Sequence, residues 1–257
     1  MESELDTLVE AVLASSKYRH VSPSLVREIG ARELAIRPNK KAAIKATKNV
    51  LHQAGGAFQD ASINYNRARE TLEAALQKDD RTTTDSEFAN ACRAIMAAHT
   101  STRERLSILD DFYRETLTNV PPPQTVLDVA CGLNPLARPW MPFPASTQYI
   151  ASDIYADQVA FLNDYIALSD YAGYAEVRDV HDPPPQAADL ALVLKTLPCL
   201  EAIDKGAPDR LLDALNAPYL LVSFPAQSWG TTQGHGNPLR DAIPCAAGCA
   251  GLVGRAV

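Results

Sequence analysis

The sequence predicts an α/β protein in which a helical part comes first and a parallel sheet follows. Residues 1–118 carry apolar residues at helical spacing and no strong strand signal, whereas short apolar segments alternate with helices in residues 119–257. Three consecutive prolines at 121–123 separate the parts, because they neither continue a helix nor join a central strand. We therefore expect a helical domain at 1–118 and a sheet domain at 119–257.

The helices of the first part are predicted from their apolar spacing and their start signals. An apolar stripe from Leu5 to Leu13 indicates the first helix, and Ser22-Pro23 indicates the start of the second, with proline in its first turn. Further amphipathic helices are expected over 42–55 and 65–78. A polar run follows, and a helix resumes near Ser86.

Five apolar segments of the second part predict strands, at 125–129, 148–152, 175–178, 190–194 and 219–224. Helices are expected between them, notably over 156–169 and 208–215. This alternation is typical of a Rossmann-like parallel sheet covered on both faces. Ligands bind such sheets beyond the carboxyl ends of the strands, so the residues that follow each strand are the candidate site.

The segment 125–134 carries the most specific pattern of the chain. An apolar strand containing Asp128 leads into a tight turn at Gly132, where the absence of a side chain lets backbone approach a ligand. The pyrophosphate-binding pattern G-x-G-x-x-G is absent. Asp153, 21 positions after Gly132, ends the next apolar run, and a carboxylate there can accept both ribose hydroxyls. Ribose binding without a pyrophosphate loop predicts S-adenosylmethionine rather than NAD as the cofactor.

Each candidate also has a structural alternative. Asp128 could cap the following turn, and Asp153 and Asp179 could be ordinary loop carboxylates. Lys195 directly follows an apolar strand, but a surface lysine whose stem covers apolar groups would give the same pattern. Cys131 is expected to be a small packing residue rather than a nucleophile.

The net charge of −7 is unevenly distributed. Residues 1–118 contain 17 basic and 17 acidic residues, whereas residues 119–257 contain 7 and 14. Between positions 17 and 48, nine basic residues face only two acidic ones, which predicts a phosphate-binding surface. A solvated helix face is the alternative. The basic residues are Lys17, Arg19, Arg27, Arg32, Arg37, Lys40, Lys41, Lys45 and Lys48.

Cysteine usage and hydropathy indicate a cytoplasmic protein without metal or membrane segment. The five cysteines are odd in number and lack metal-ligand spacing, so free thiols in a reducing compartment are expected. Cys245 and Cys249 form a C-x-x-x-C pattern without a supporting ligand nearby. No run of 18 apolar residues occurs, and the first residues are acidic rather than basic.

Four motifs that occur in order carry a family resemblance. They lie at 99–105 (HTSTRER), 127–136 (LDVACGLNPL), 194–198 (LKTLP) and 222–225 (VSFP). Together they resemble the aminoglycoside-resistance 16S rRNA (guanine-N7) methyltransferases of the Arm/Rmt/Fmro type. The segments 14–19 and 48–53 are also similar to the opening of that family, and the resemblance spans about residue 5 to about 230.

The resemblance implies a reaction and a substrate. Members use S-adenosylmethionine to methylate guanine N7 in the decoding site of 16S rRNA in the 30S subunit, which blocks 4,6-disubstituted aminoglycosides. Guanine N7 carries a lone pair and no proton, so no acid or base residue is expected, and His99 and His181 are interpreted as structural or contact residues. The enzyme is expected to act as a monomer.

The resemblance also implies roles for individual residues. Ala130 and Gly132 would hold the methionine part of the cofactor, and Arg105 would pair with its carboxylate. Asp153 would bind the ribose, and Asp179 with Val180 the adenine edge. The remaining expected contacts are Ile154 and Leu194 to the cofactor, Lys195 and Ser223 to the target base, and Lys17, Arg19, Lys40, Lys41 and Lys45 to RNA.

The C-terminal tail departs from the family pattern. A complete sheet of this type has seven strands, but the match fades after Gly230 and residues 234–257 show no alternating strand pattern. We therefore expect the last two strands to be missing or altered, as in a truncated or frameshifted chain. A catalytically impaired RNA-binding relative, or a methyltransferase for another substrate, are the alternative functions.

Overall fold

The structure, a computed structural model, describes residues 2–53, 63–78, 84–180, 186–224 and 250–254. In the helical part the helices are α1 Glu2–Leu13, α2 Pro23–Ile36, α3 Lys40–Leu51, α4 Tyr65–Leu76, α5 Glu87–Met96, α6 Thr100–Arg103 and α7 Leu109–Thr116. The sheet part contains β1 Thr125–Val129, β2 Gln148–Asp153, α8 Ala156–Ser169, β3 Gly173–Val177, β4 Leu190–Leu194, α9 Thr196–Ile203, α10 Ala207–Ala214, β5 Tyr219–Ser223 and β6 Ala250–Gly254. Two short 3-10 helices, Leu106–Ile108 and Asn134–Trp140, precede α7 and follow β1.

The strands form one sheet in the order β3-β2-β1-β4-β5-β6, which confirms the predicted fold class. The first five strands are parallel, and β6 pairs antiparallel with β5. All five residues of β4 are buried, as expected for a central strand with helices on both faces. The strand order reverses at β1, which places a crevice between the carboxyl ends of β1, β2 and β4.

The predicted and observed elements differ at their ends and in the tail. The third strand begins at Gly173, two positions before the prediction, and the helix predicted over 42–55 ends at Leu51. Among the described residues of the tail, 250–254 form a strand, β6, which the sequence pattern did not predict. The described part of the sheet has this one strand beside β5, consistent with the expected alteration of its last part.

Polar residues cap three helices of the first part and explain where they begin. Asn39 and Asn64 each accept a backbone N–H with the side-chain oxygen, from Ala42 and from Arg67, both at 3.0 Å. Ser86 accepts the N–H of Ala89 at 3.1 Å. Such caps satisfy donors that have no partner within the helix, and they fix the starts of α3, α4 and α5.

The buried apolar residues form three clusters. One joins α4, α5, α7 and α8 to one face of the sheet, and a second joins α9 and α10 to the other face. The third holds α1, α2 and α3 together and includes, from the described residues of the sheet part, Ile154 and Tyr155. We call α1–α3 the three-helix unit. The domain boundary at 118 stays a prediction, because α4–α7 share their core with the sheet.

A short backbone connection joins the three-helix unit to the end of β2. Val21 and Tyr155 form an antiparallel bridge, and the N–H of Ala156 donates to the carbonyl of His20 at 2.7 Å. We call residues 20–22 the strap. It is the link through which the unit contacts the residues that follow Asp153.

Candidate functional site

A cavity opens at the carboxyl ends of β1, β2 and β4, where the sequence predicts the site. Its volume is about 780 Å³ when the space at its open mouth is included. Eight of the predicted residues line it together: Ala130, Gly132, Asp153, Ile154, Asp179, Val180, Leu194 and Lys195.

The turn after β1 has a strained backbone that glycine relieves. Ala130 and Gly132 have φ of 51° and 54°, in the left-handed region that favours glycine. A Cβ on Gly132 would lie 2.9 Å from Cε1 of His99, too close for an undistorted contact. The missing side chain therefore allows both the turn and the approach of His99 from the helical part.

Asp153 holds the two backbone turns that form the cavity floor. Its Oδ2 accepts the N–H of Gly132 at 2.8 Å, and its Oδ1 accepts the N–H of Ile154 at 2.7 Å. Burial raises the pKa of this carboxyl, and the two backbone donors oppose that rise. Each carboxylate oxygen has a second lone pair, so Asp153 retains acceptor capacity for ligand hydroxyls. It is not an ordinary loop carboxylate, because its side chain is buried.

Lys195 is a buried cation at the end of β4. Its backbone has φ of 61°, and its N–H donates to the carbonyl of Ser223 at 2.9 Å. The ammonium forms an ion pair with Glu104, and the side chain is only 6% exposed. Burial lowers the pKa of Lys195, and the carboxylate of Glu104 opposes that change. The alternative of a lysine lying along the surface is therefore wrong.

Arg105 and Ser223 do not line the cavity, unlike the other predicted cofactor and target-base residues. Arg105 is 4% exposed, and its Nη2 donates to Oδ1 of Asn134 at 2.9 Å. Its Nη1 has no hydrogen-bond partner among the described residues, and neither has Oγ of Ser223. Both side chains are buried, and each keeps a polar atom without a partner among the described residues. Burial is the main cause of the lowered pKa of Lys195, and the guanidinium of Arg105 adds to it.

The cavity also contains residues that the sequence analysis missed. Leu25 comes from α2, and no local pattern marks it, because its contact depends on long-range packing. Ser101 comes from α6 and lies within the motif at 99–105, which was the available signal. Gln158 lies in the first turn of α8, where a buried polar side chain on an apolar helix was a usable signal. His99 lies against Gly132 in the cavity wall, and His181 is outside the described residues.

Burial raises the pKa of the two cysteines near the cavity. Cys131 is buried, and burial raises the pKa of its thiol well above the ordinary value, which agrees with a packing role. Burial likewise raises the pKa of Cys199 to about 11. Within the described residues no three His, Cys, Asp or Glu side chains are grouped as metal ligands. Cys245 and Cys249 are outside that part of the chain.

The predicted RNA-contacting residues lie on the surface of the three-helix unit. Lys40, Lys41 and Lys45 are exposed on α3, whose opposite face packs in the core of the unit through Ala43 and Leu51. Three other basic residues of the segment are neutralised by ion pairs, Arg27 with Asp6, Arg32 with Glu28 and Arg37 with Glu33. The five predicted RNA contacts have no acidic partner among the described residues: Lys17, Arg19, Lys40, Lys41 and Lys45.

The fold and the cavity together define a class of protein. A parallel sheet with this strand order carries a buried carboxylate, a glycine turn and a lysine at one crevice, with no pyrophosphate loop. These features define a Rossmann-like α/β protein with a ligand site at the carboxyl edge of its sheet. None of the described helices combines the length and the apolar character needed to cross a membrane.

Comparison with known proteins identifies the family. Residues 14–250 match the model of the family described as ribosomal RNA methyltransferase (FmrO), and the chain belongs to this family. The predicted resemblance is therefore confirmed, and the family match extends to residue 250, beyond residue 230 where we expected it to fade. The predicted enzyme class, an rRNA methyltransferase, is confirmed as well.

Relatives of known function and structure cover most of the chain. The 16S rRNA (guanine(1405)-N(7))-methyltransferase of Micromonospora echinospora is 38% identical over 232 residues, 89% of this chain and 83% of the relative. Its counterpart in Frankia casuarinae is 41% identical over 233 residues, 89% of this chain and 81% of the relative. The crystal structure of the 16S rRNA methyltransferase RmtF with S-adenosyl-L-homocysteine has a TM-score of 0.76 and 31% identity, and the match covers 94% of this chain and 87% of RmtF. The predicted cofactor, S-adenosylmethionine, is thereby confirmed for the family.

Proposed function

We propose that this chain methylates guanine N7 in the decoding site of 16S rRNA, with S-adenosylmethionine as the methyl donor. The observation that carries the proposal is the single cavity in which Gly132, Asp153 and Lys195 meet at the carboxyl edge of the sheet. The names of the relatives from Micromonospora and Frankia, together with the product bound to RmtF, support the same reaction.

The cavity has the groups that such a cofactor needs. Asp153 would accept the ribose hydroxyls, and Asp179 with Val180 would contact the adenine. Ala130 and Gly132 would lie along the methionine part, since their turn exposes backbone rather than side chain. Ile154 and Leu194 would form apolar walls. Arg105 would pair with the cofactor carboxylate, and its Nη1, which has no partner among the described residues, supports that role.

The chemistry requires alignment rather than acid–base catalysis. When bound, S-adenosylmethionine supplies a methyl group on a positively charged sulfur, and the N7 lone pair can accept it without losing a proton. The protein therefore binds and orients the two reactants, and proximity of this kind can supply roughly 7–11 kcal/mol. His99 is accordingly assigned to the cavity wall and not to proton transfer.

The three-helix unit supplies the surface for the RNA. Lys40, Lys41 and Lys45 would contact phosphates and thereby recognise the shape of the folded RNA rather than its sequence. A guanine in the decoding site would be turned out of its stack, which costs a few kcal/mol. Lys195 and Ser223, at the ends of β4 and β5, would border the base once it reaches the cavity.

The proposal includes the biological setting. The substrate would be the assembled 30S subunit, and the protein would act as a monomer in the cytoplasm. The methyl group would then protect the decoding site from 4,6-disubstituted aminoglycosides.

The test is a search for N7-methylguanosine in 30S subunits after incubation with the protein and S-adenosylmethionine. Mass spectrometry of RNase fragments locates the modified nucleotide, and an Asp153→Asn variant serves as the control with an impaired cavity. One modified guanine in the decoding site supports the proposal. Subunits without a new methyl group, although the protein binds S-adenosylhomocysteine, would instead favour a catalytically impaired relative or another substrate.

A further inference from the structure

A buried hydrogen-bond network is centred on Asn134, two residues after Gly132 of the cavity lining. Its Oδ1 accepts from Nη2 of Arg105 at 2.9 Å and also from the hydroxyl of Tyr113. Its Nδ2 donates to Oδ2 of Asp128 at 2.9 Å. The hydroxyl of Tyr149 donates to the same carboxylate oxygen at 2.6 Å. Asn134 thus connects a cation to a carboxylate through one amide.

The chemistry of the partners fixes the orientation of this amide. A guanidinium can only donate, so it must face the oxygen of Asn134. An ionised carboxylate can only accept, so it must face the nitrogen. Neither an aspartate nor a leucine at this position can serve both partners. Asn134 is 1% exposed, so water does not replace either bond.

The network leaves the other half of the guanidinium available. Nη1 of Arg105 is buried and has no partner among the described residues, whereas Nη2 is held by Asn134. The aromatic ring of Phe112 lies 5.8 Å from the guanidinium carbon and restricts the side chain further. A buried donor without a partner is unfavourable, and an anionic ligand would remove that penalty.

The position of Asn134 is set by the same turn that forms the cavity floor. Its backbone N–H donates to the carbonyl of Cys131 at 2.9 Å, directly after Gly132. The amide is therefore anchored to the same turn that contains Gly132. Nothing in the sequence motif distinguishes Asn134 from a turn residue, because its partners Arg105 and Tyr113 are 29 and 21 positions away.

We propose that Asn134 is the positioning residue that holds Arg105 for the α-carboxylate of the cofactor. The inference rests on the proposed role of Arg105 in cofactor binding. Asn134 acts through Arg105 and does not contact the ligand itself. Its effect is therefore confined to ligands that carry the amino-acid part.

The test compares two ligands by isothermal titration calorimetry. S-adenosylhomocysteine has the α-carboxylate, and 5′-methylthioadenosine lacks the amino-acid part. Asn134→Leu should lower the affinity for S-adenosylhomocysteine roughly 10-fold or more, because this ligand uses Arg105. The affinity for 5′-methylthioadenosine should stay within about 2-fold of that of the unmodified protein. Asn134→Asp, which keeps an acceptor for Arg105, should recover part of the loss. Tyr149→Phe removes a bond to Asp128 in the same network without removing a partner of Arg105 and is the matched control, with a ratio of the two affinities near that of the unmodified protein.

If Asn134→Leu lowered the affinity for both ligands equally, Asn134 would only support the fold, and the inference would be overturned. If that variant does not fold, Asn134→Ser gives the same comparison with a smaller side chain that cannot reach Arg105. A second check is the double variant. In a protein that already carries Arg105→Gln, Asn134→Leu should lower the affinity for S-adenosylhomocysteine by less than about 2-fold more. Failure of the unmodified protein to bind either ligand would instead contradict the proposed function.

Discussion

The backbone N–H of Ser22 donates to the carbonyl of Ile154 at 2.8 Å, and this bond joins the three-helix unit to the wall of the cofactor cavity. Ile154 directly follows Asp153, whose carboxylate holds the floor of the cavity. The next residue, Tyr155, both lines the cavity and packs in the core of the unit. The three-helix unit, which carries the surface proposed to bind RNA, is therefore joined directly to the segment that lines the cavity.

Replacement of Tyr155 by alanine should loosen the three-helix unit without unfolding the sheet. The ring is the buried side chain that the sheet part contributes to the core of the unit, and removal of a buried aromatic ring costs roughly 3–5 kcal/mol. Hydrogen exchange should therefore speed up in residues 2–51 and stay slow in β1 and β4. Tyr155→Phe keeps the ring and is the control. Unchanged exchange in α1–α3 of the alanine variant would show that the strap alone holds the unit.

Gly132→Ala should impair cofactor binding. The new Cβ would lie 2.9 Å from Cε1 of His99, and the backbone has φ of 54°. Strain of this kind costs about 1–3 kcal/mol, so we expect a lower melting temperature and at least about 10-fold weaker binding of S-adenosylhomocysteine. The control is Gly206→Ala, where the Cβ would meet the flexible end of Arg210. Normal affinity in Gly132→Ala would mean that ligand binding does not depend on this turn.

Charge reversal on α3 should separate RNA binding from cofactor binding. The triple variant Lys40→Glu, Lys41→Glu and Lys45→Glu should bind 30S subunits at least about 10-fold more weakly and show a smaller dependence on salt. Its affinity for S-adenosylhomocysteine should not change, since none of the three lines the cavity. A matched variant with glutamate at Lys78, Arg114 and Lys205 carries the same charge change on exposed sites elsewhere. Equal subunit affinity in the two triple variants would remove α3 from the interface.

Asp128 should make stability depend on pH. Burial raises its pKa to about 6, against hydrogen bonds from Tyr149 and Asn134 that lower it. The pKa of Asp128 in the folded protein exceeds the value of about 3.9 that applies to the unfolded chain. The contribution of Asp128 to the free energy of unfolding is therefore fully present below about pH 3.9 and is lost as the pH rises through 6. Asp128→Asn removes the titration. The unfolding free energy of the unmodified protein, relative to that variant, should fall by roughly 1–1.5 kcal/mol between pH 5 and 8.

Denaturant unfolding at several pH values measures this difference. Asp209→Asn, at an exposed helix position, carries the same change in formal charge and serves as the control. Parallel pH profiles for the unmodified protein and Asp128→Asn would contradict the prediction.

The sheet could be predicted because its strands have a strong local signal. β1 and β4 are short, apolar and buried on both faces, so their positions follow from composition alone. The candidate site could then be predicted as the residues that come directly after those strands, because parallel sheets bind ligands at the carboxyl ends of their strands. The start of β3 was placed two residues late, because Gly173 is a weak strand residue with φ of 142°.

The parts that sequence reasoning missed all depend on contacts between distant positions. Leu25 reaches the cavity only because the strap pairs with the end of β2. Glu104 and Lys195 are 91 positions apart, and no local pattern connects them. The strand β6 gains its order by pairing with β5, although its own sequence of small residues has low strand propensity.

The position of Leu25 has a consequence for inhibitor selectivity. This side chain belongs to the three-helix unit, yet it forms part of the wall of the cavity beside Ile154 and Tyr155. A competitive inhibitor that extends from the nucleoside pocket to Leu25 would contact a helix that lies outside the sheet fold. Methyltransferases that have the sheet but no such helix would offer no equivalent contact. Compounds of this design would therefore discriminate this enzyme from the many other proteins that use the same cofactor.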